Sequence, residues 1–210
     1  MTRSTRTLAL ALLGPAVVLA ACKKDSDEYG HGADTTAVAA PAPPAPPAAA
    51  PAAAPAAAGT VSDAQIAAIV LAANTVDSTA GALAAQKGTR ADVKQFGQRM
   101  VTDHGGVNKQ AVALAGRLHL TPEENPTSQQ LTQGGQQNVS SLNGMSGAAF
   151  DRAYVDHEVE YHQTVLDAID KTLLPNAQNA DLKALLTQTR PAVAAHLEMA
   201  KNIQKQLQGS

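Results

Sequence analysis

Three histidines lie where the helical pattern of the sequence would otherwise place apolar side chains. Apolar residues recur at steps of three and four around His104, His162 and His196, the spacing that places side chains on one face of an α-helix. Asp77 occupies the corresponding place on an earlier helix. Neutral imidazoles and a carboxylate are ligands for divalent transition ions such as Zn, Fe, Cu and Mn. The pattern predicts one such ion held by Asp77, His104, His162 and His196.

The four side chains can reach a common level of the fold. With a rise of 1.5 Å per residue, Asp77 and His104 lie roughly 16 and 22 Å from the predicted turn between their helices. His162 and His196 lie roughly 20 and 27 Å from a second predicted turn. Side chains lean toward the N-terminus of their own helix, which reduces the difference in height between Asp77 and His104 and between His162 and His196. Convergence of the four groups is therefore expected.

Three further residues are candidates for supporting this site. Glu158 precedes His162 by four residues and shares its helix face, so it is a candidate ligand or hydrogen-bond acceptor. Asp103 and Tyr154 are candidates for supporting hydrogen bonds, Asp103 across helices. The sequence contains no HExxH motif and no Glu-x-x-His pair, which argues against a ferritin-type oxidase site.

A second interpretation of the same residues needs no metal. Asp77 bonded to the histidines would form a buried polar layer that fixes the register of the helices. Beyond the possible metal site, no nucleophile and base occur together in a way that indicates an enzyme. The sequence is compatible with both the metal site and the polar layer.

The elements that position these residues are helical from Ser62 onward, with no alternating strand pattern. Ser62 with Gln65, and Thr127 with Gln130, have the spacing of a capping box. Four long helices with short 1–2 and 3–4 turns predict an all-α, antiparallel four-helix bundle over residues 61–208. An extra short helix is expected in the long 2–3 connection.

The N-terminal part of the chain has the features of an export signal. Residues 1–21 begin with Arg3 and Arg6, continue with a short apolar run and end in LAAC. This end resembles the lipobox of bacterial lipoproteins, in which the cysteine carries the lipid, so Cys22 is the predicted lipidation site. Residues 22–60 are rich in Pro and Ala, which predicts a disordered tether without a core of its own.

Composition limits the partners of the chain. The formal net charge is −2, and aromatic residues make up 2% of the chain with no Trp. These values argue against nucleic-acid binding and against stacking surfaces. Membrane attachment is expected through the lipid at Cys22, because two or three acyl chains anchor a protein stably. Lys23 follows the cysteine, and the expected location is the outer membrane, facing the periplasm.

Three segments carry a resemblance to a known family: "VKQFGQRMVTDHGGVNKQ", "GAAFDRAYVDHEVEYHQTVL" and "RPAVAAHLEMAK". Over about residues 62–207 the chain resembles an uncharacterised family of exported bacterial proteins described as a ferritin-like domain of unknown function. The resemblance implies a ferritin-like bundle, with His at the places of His104, His162 and His196. Family members usually have Glu where this chain has Asp77.

These observations together predict a lipid-anchored envelope protein whose helical bundle binds one transition-metal ion through inward His and Asp side chains. The alternative is a structural or stress-protective envelope protein, acting through a protein partner, whose polar layer only specifies packing.

Overall fold

The computed structural model describes residues 60–209, and the fold in this range is helical without strands. The predicted signal peptide, Cys22 and the tether up to residue 59 lie outside the described residues. Five helices follow one another: α1 (Asp63–Lys87), α2 (Ala91–Arg117), α3 (Pro126–Asn143), α4 (Gly147–Ala168) and α5 (Ala180–Gln208). A π-helical turn (Ile169–Leu173) and one α-turn (Leu174–Asn176) continue α4. The all-α prediction is confirmed.

Side-chain caps define where several helices begin. At α1 the predicted capping box is confirmed, because the Ser62 and Gln65 side chains each accept from the other residue's backbone N–H at 3.2 Å. The predicted box at Thr127 and Gln130 is wrong. Asn125 and Ser128 form it instead, since Pro126 takes the first helical position, where its missing N–H costs nothing.

The helices pair in opposite directions. On α1 and α2, Asn74 contacts His104 and Gly81 contacts Gly97. This reversed order shows that the two helices are antiparallel. Contacts of Asp156 with Gln204 and of Asp170 with Arg190 show the same for α4 and α5. The extra helix predicted in the long connection is α3, which has 18 residues and packs on α1.

α1 is a core helix. In the described part of the chain it alone has the length and composition to cross a membrane, with a mean hydropathy of 1.5 over its most apolar window. That window is 61% buried inside the protein, and α1 as a whole has twelve buried residues, spread around the helix. A buried helix of this kind meets the same length and composition test as a membrane span.

Two apolar clusters fill the interior. One contains mostly Leu, Ile and Val, including Val70, Leu114, Leu166 and Val193. The other contains the two Phe residues with Met100, Tyr154 and Val155. Along α1, α2 and α4 the buried residues Asn74, Asp77, His104, Glu158 and His162 fall between positions of one cluster and positions of the other. On α5, His196 lies near the same boundary, one residue before Leu197 of the first cluster and four before Ala200 of the second. The fold therefore holds one polar layer between two apolar layers.

The start of α2 is capped from a distance by Asp151 of α4. Its carboxylate, fully buried, accepts from the backbone N–H of Thr89 at 2.9 Å and of Arg90 at 3.0 Å, and from the Thr89 hydroxyl. The N-cap residue Arg90 supplies no side-chain cap itself. Asp151 thus satisfies helix-end donors and ties α4 to α2.

Asp151→Ala is expected to lower the free energy of unfolding by about 3 kcal/mol, because it removes charge-assisted cap bonds and leaves a buried gap. Urea unfolding measures the change. The matched control is Glu160→Ala on the same helix, where an exposed carboxylate is removed and a change within about 0.5 kcal/mol is expected. Equal losses in the two variants would contradict the capping role.

Candidate metal centre

The polar layer collects side chains from four helices. α1 contributes Asn74 and Asp77, α2 contributes His104, α4 contributes Glu158 and His162, and α5 contributes His196. None is more than 6% exposed. Such burial of polar groups is costly unless they are paired or bind an ion.

The three imidazoles form a nearly equilateral triangle. The ring centroids of His104 and His162 are 5.6 Å apart, those of His104 and His196 are 5.1 Å apart, and those of His162 and His196 are 5.5 Å apart. One ring nitrogen from each histidine lies within 4.8 Å of one from each of the others. The structure therefore brings together all three predicted histidines.

Each imidazole has one nitrogen held by an acceptor. His104 Nδ1 lies 2.8 Å from Asn74 Oδ1, and His162 Nδ1 lies 2.9 Å from the Glu158 backbone oxygen. His196 Nε2 lies 2.9 Å from Asp103 Oδ2. Asn74 presents its oxygen to the ring because its amide nitrogen donates to the Val70 carbonyl at 2.7 Å. In each neutral ring, the nitrogen facing the acceptor must therefore carry the proton.

The opposite nitrogens are left as lone-pair donors. His104 Nε2, His162 Nε2 and His196 Nδ1 are buried and have no hydrogen-bond partner among residues 60–209. A hydrogen bond that fixes the tautomer of a histidine and leaves the other nitrogen free is the arrangement seen around metal-ligating imidazoles.

Burial keeps His104 and His196 neutral. Burial, together with the charges that His162 and His196 would carry, lowers the pKa of His104 to about 3. Burial also lowers the pKa of His196, against the opposing effect of Asp103. Because only the neutral imidazole binds a metal ion, both shifts favour coordination near pH 7.

Asp77 and Glu158 form a carboxyl pair beside the imidazoles. Asp77 Oδ2 lies 3.6 Å from His104 Nδ1, and Glu158 Oε2 lies 3.3 Å from His162 Nδ1. Burial raises the pKa of Glu158 to about 8 and that of Asp77 well above its usual value. Tyr154 is fully buried, and its pKa is raised by burial and by the negative charge of Glu158.

The predicted residues therefore fall into two overlapping groups. His104, His162 and His196 can offer three nitrogens to one ion. Asp77 forms a group with Glu158 and His162, in which one ligand atom from each again lies within 4.8 Å of the others. His162 is common to both groups, and Glu158, expected as a ligand or supporting residue, belongs to the second.

Of the two side chains that hold a histidine by a hydrogen bond, Asp103 was predicted from the sequence and Asn74 was not. Asp103 makes its bond across helices to His196 and has a side chain that is 35% exposed, 3.7 Å from Arg99. Asn74 was missed by the sequence interpretation, although it lies one turn before Asp77 on the buried face of α1. An amide side chain among the apolar residues of α1 could have indicated a buried hydrogen-bonding role for Asn74.

The chain belongs to a family defined by a domain of unknown function, DUF4142, whose model matches residues 47–203. No curated protein and no solved structure matches the chain.

Proposed function

We propose that this chain binds one divalent transition-metal ion through His104 Nε2, His162 Nε2 and His196 Nδ1. The observation that carries the proposal is the set of three buried, unpartnered nitrogens, each on a ring whose other nitrogen meets an acceptor. Three imidazoles with a further open position form a set that zinc accepts, and Fe, Cu and Mn also bind imidazole.

The polar-layer alternative is less well supported by these contacts. A layer that served only packing would pair its own polar groups, since an unpaired buried group costs about 1–3 kcal/mol. Here one nitrogen of each histidine and Asp77 Oδ1 stay unpaired within the described range. One ion bound by the three imidazoles would satisfy all three unpaired nitrogens, which favours the metal site.

The wider architecture is part of the proposal. The antiparallel pairs α1/α2 and α4/α5 meet at the polar layer and are arranged as a four-helix bundle of the ferritin-like kind, with α3 as an addition on α1. A small-angle scattering profile or crystal structure of the full chain tests this arrangement.

Envelope attachment is a second part, supported by the sequence of residues 1–22. Cys22 carries the lipid, and the Pro- and Ala-rich segment lets the bundle stand away from the outer membrane. Cys22→Ser is expected to abolish incorporation of labelled palmitate and to release the protein from the membrane fraction. Retention of label in that variant would contradict the anchor.

Calorimetric titration of the purified full chain with Zn²⁺, Fe²⁺, Cu²⁺ and Mn²⁺ tests the metal proposal. We expect one ion per chain for at least one metal, and no binding by a still-helical variant with His104, His162 and His196 all changed to Ala. Absence of binding for every metal would overturn the proposal.

Asp103→Ala is expected to weaken Zn²⁺ binding by about 10- to 100-fold, because His196 loses the acceptor that orients its ring and fixes its tautomer. A competition assay with a zinc-sensitive dye measures the affinity. The control is Asp156→Ala, an exposed carboxylate whose only described bond is to Gln204 of α5. Asp103 does not position His196 if the two variants bind zinc equally well.

A further inference from the structure

The carboxyl side of the polar layer has its own unpaired oxygen atoms. Asp77 is 2% exposed, and Glu158 and Tyr154 are fully buried. Asp77 Oδ1, both Glu158 carboxyl oxygens and the Tyr154 hydroxyl lack hydrogen-bond partners among the described residues. The Asp77 carboxyl and the Tyr154 hydroxyl each interact with the Glu158 carboxyl. The three groups therefore lie close together, and none of these oxygens has a hydrogen-bond partner elsewhere in the described residues.

No permanent positive charge balances this pair. Within residues 60–209, the basic groups in contact with Asp77 and Glu158 are the imidazoles of His104 and His162, and none is a Lys or an Arg. Buried carboxylates are normally paired with a cation or coordinate a metal. A divalent cation held by both ionised carboxylates would make the group neutral.

The dimensions allow an ion to sit there. One ligand atom from each of Asp77, Glu158 and His162 lies within 4.8 Å of the others. Some point then lies within roughly 2.8 Å of all three atoms, so a shift of under about 1 Å per atom reaches bonding distances of roughly 2.0–2.3 Å.

His162 can serve only one ion at a time. Its Nδ1 meets the Glu158 backbone oxygen at 2.9 Å and lies 3.3 Å from Glu158 Oε2, so Nδ1 carries the proton and only Nε2 can bind an ion in either position. Filling the imidazole group and the carboxyl group together would also place four positive charges against two carboxylates in a buried volume. Both the shared lone pair and the charge balance favour one ion in either of two positions.

We propose that the centre has a second, oxygen-rich cation position formed by Asp77, Glu158 and His162, filled in alternation with the three-imidazole position. Carboxylate oxygens suit a harder ion such as Mn²⁺, whereas imidazoles suit Zn²⁺ and Cu²⁺. The two positions therefore sort ions by type. This inference rests on the proposed function, because His162 is shared with the imidazole site.

Two variants separate the positions, since His196 belongs only to the imidazole group and Glu158 only to the carboxyl group. The full chain, His196→Gln and Glu158→Gln are titrated with Mn²⁺, followed by electron paramagnetic resonance, and with Zn²⁺, followed by calorimetry. Thermal melts followed by circular dichroism confirm that each variant is folded.

We expect the unchanged chain to bind one Mn²⁺, which one equivalent of Zn²⁺ displaces. His196→Gln should shift the ratio of affinities at least tenfold toward Mn²⁺, and Glu158→Gln at least tenfold toward Zn²⁺. Equal losses for both ions in both variants, or one Mn²⁺ and one Zn²⁺ bound together, would overturn the inference.

Different results would overturn the second cation position and the three-imidazole site. Zn²⁺ binding with no Mn²⁺ binding overturns the second position and leaves the imidazole site standing. Binding of neither ion by the unchanged chain overturns the proposed function itself. If Glu158→Gln is unfolded, Asp77→Asn replaces it, and if His196→Gln is unfolded, His104→Gln replaces it. Asp77 belongs only to the carboxyl group and His104 only to the imidazole group.

Discussion

His162→Gln is expected to weaken Zn²⁺ binding at least about 100-fold, the largest effect of any single substitution in the centre. Loss of a supporting residue typically costs about 10–100-fold in affinity, and loss of a ligand costs more. His162 is fully buried and contributes to both ligand groups. Glutamine keeps a polar side chain of similar length but replaces the imidazole lone pair with a weaker amide ligand. Calorimetry with Zn²⁺ measures the change.

The control for this prediction is His119→Asn. His119 is exposed and has a φ of 51°, a left-handed conformation that asparagine tolerates well. The control should bind Zn²⁺ within about threefold of the unchanged chain and show the same helix content. A His162→Gln chain that binds zinc as tightly as this control would remove His162 from the site.

Gly97→Ala is expected to lower the free energy of unfolding by about 3 kcal/mol, at the upper end of overpacking costs. α1 and α2 touch at Gly81 and Gly97. A Cβ on Gly97 would lie 2.6 Å from the Gly81 carbonyl oxygen and 2.8 Å from the Ala85 nitrogen. Both contacts are with backbone, so the helices must separate to accept the methyl group. Chemical denaturation of the variant measures the cost.

Gly116→Ala provides the opposite result in the same helix. A Cβ there meets nothing within 4 Å, and alanine is the better helix former by roughly 1 kcal/mol. We expect this variant to be stabilised by about 0.5–1 kcal/mol. Similar changes in the two variants would show that helix propensity, rather than the close approach of α1 and α2, determines the role of Gly97.

The close approach also bears on the metal centre. Asp77 lies one turn before Gly81, and His104 lies about two turns after Gly97. Separation of α1 and α2 at the glycines would therefore alter the distance between Asn74 and His104, whose 2.8 Å contact sets the tautomer of that imidazole. Fold stability and site geometry are linked through the same pair of helices.

The sequence was sufficient for the helices and for the burial of the three histidines. Apolar positions at steps of three and four predicted the all-α fold, and Ser62 with Gln65 marked the start of α1. The same spacing showed that His104, His162 and His196 face inward, and all three are buried. These features depend on local periodicity, which a single sequence records directly.

Features that depend on contacts between distant residues were not predictable in the same way. Asp151 caps α2 from 61 and 62 residues away, so no local motif reveals it. The grouping of Asp77 with Glu158 and His162 depends on the relative rotation of α1 and α4. The role of Asn74 depends on which nitrogen of His104 faces it. Spacing along one helix fixes none of these quantities.

The most direct measurement is X-ray absorption spectroscopy at the zinc edge of the full chain loaded with one equivalent of Zn²⁺. We expect three imidazole ligands at roughly 2.0–2.1 Å, with the multiple-scattering features of ordered rings. Fewer than two imidazoles, or the spectrum of hydrated zinc, would contradict the assignment of His104, His162 and His196 as the metal site.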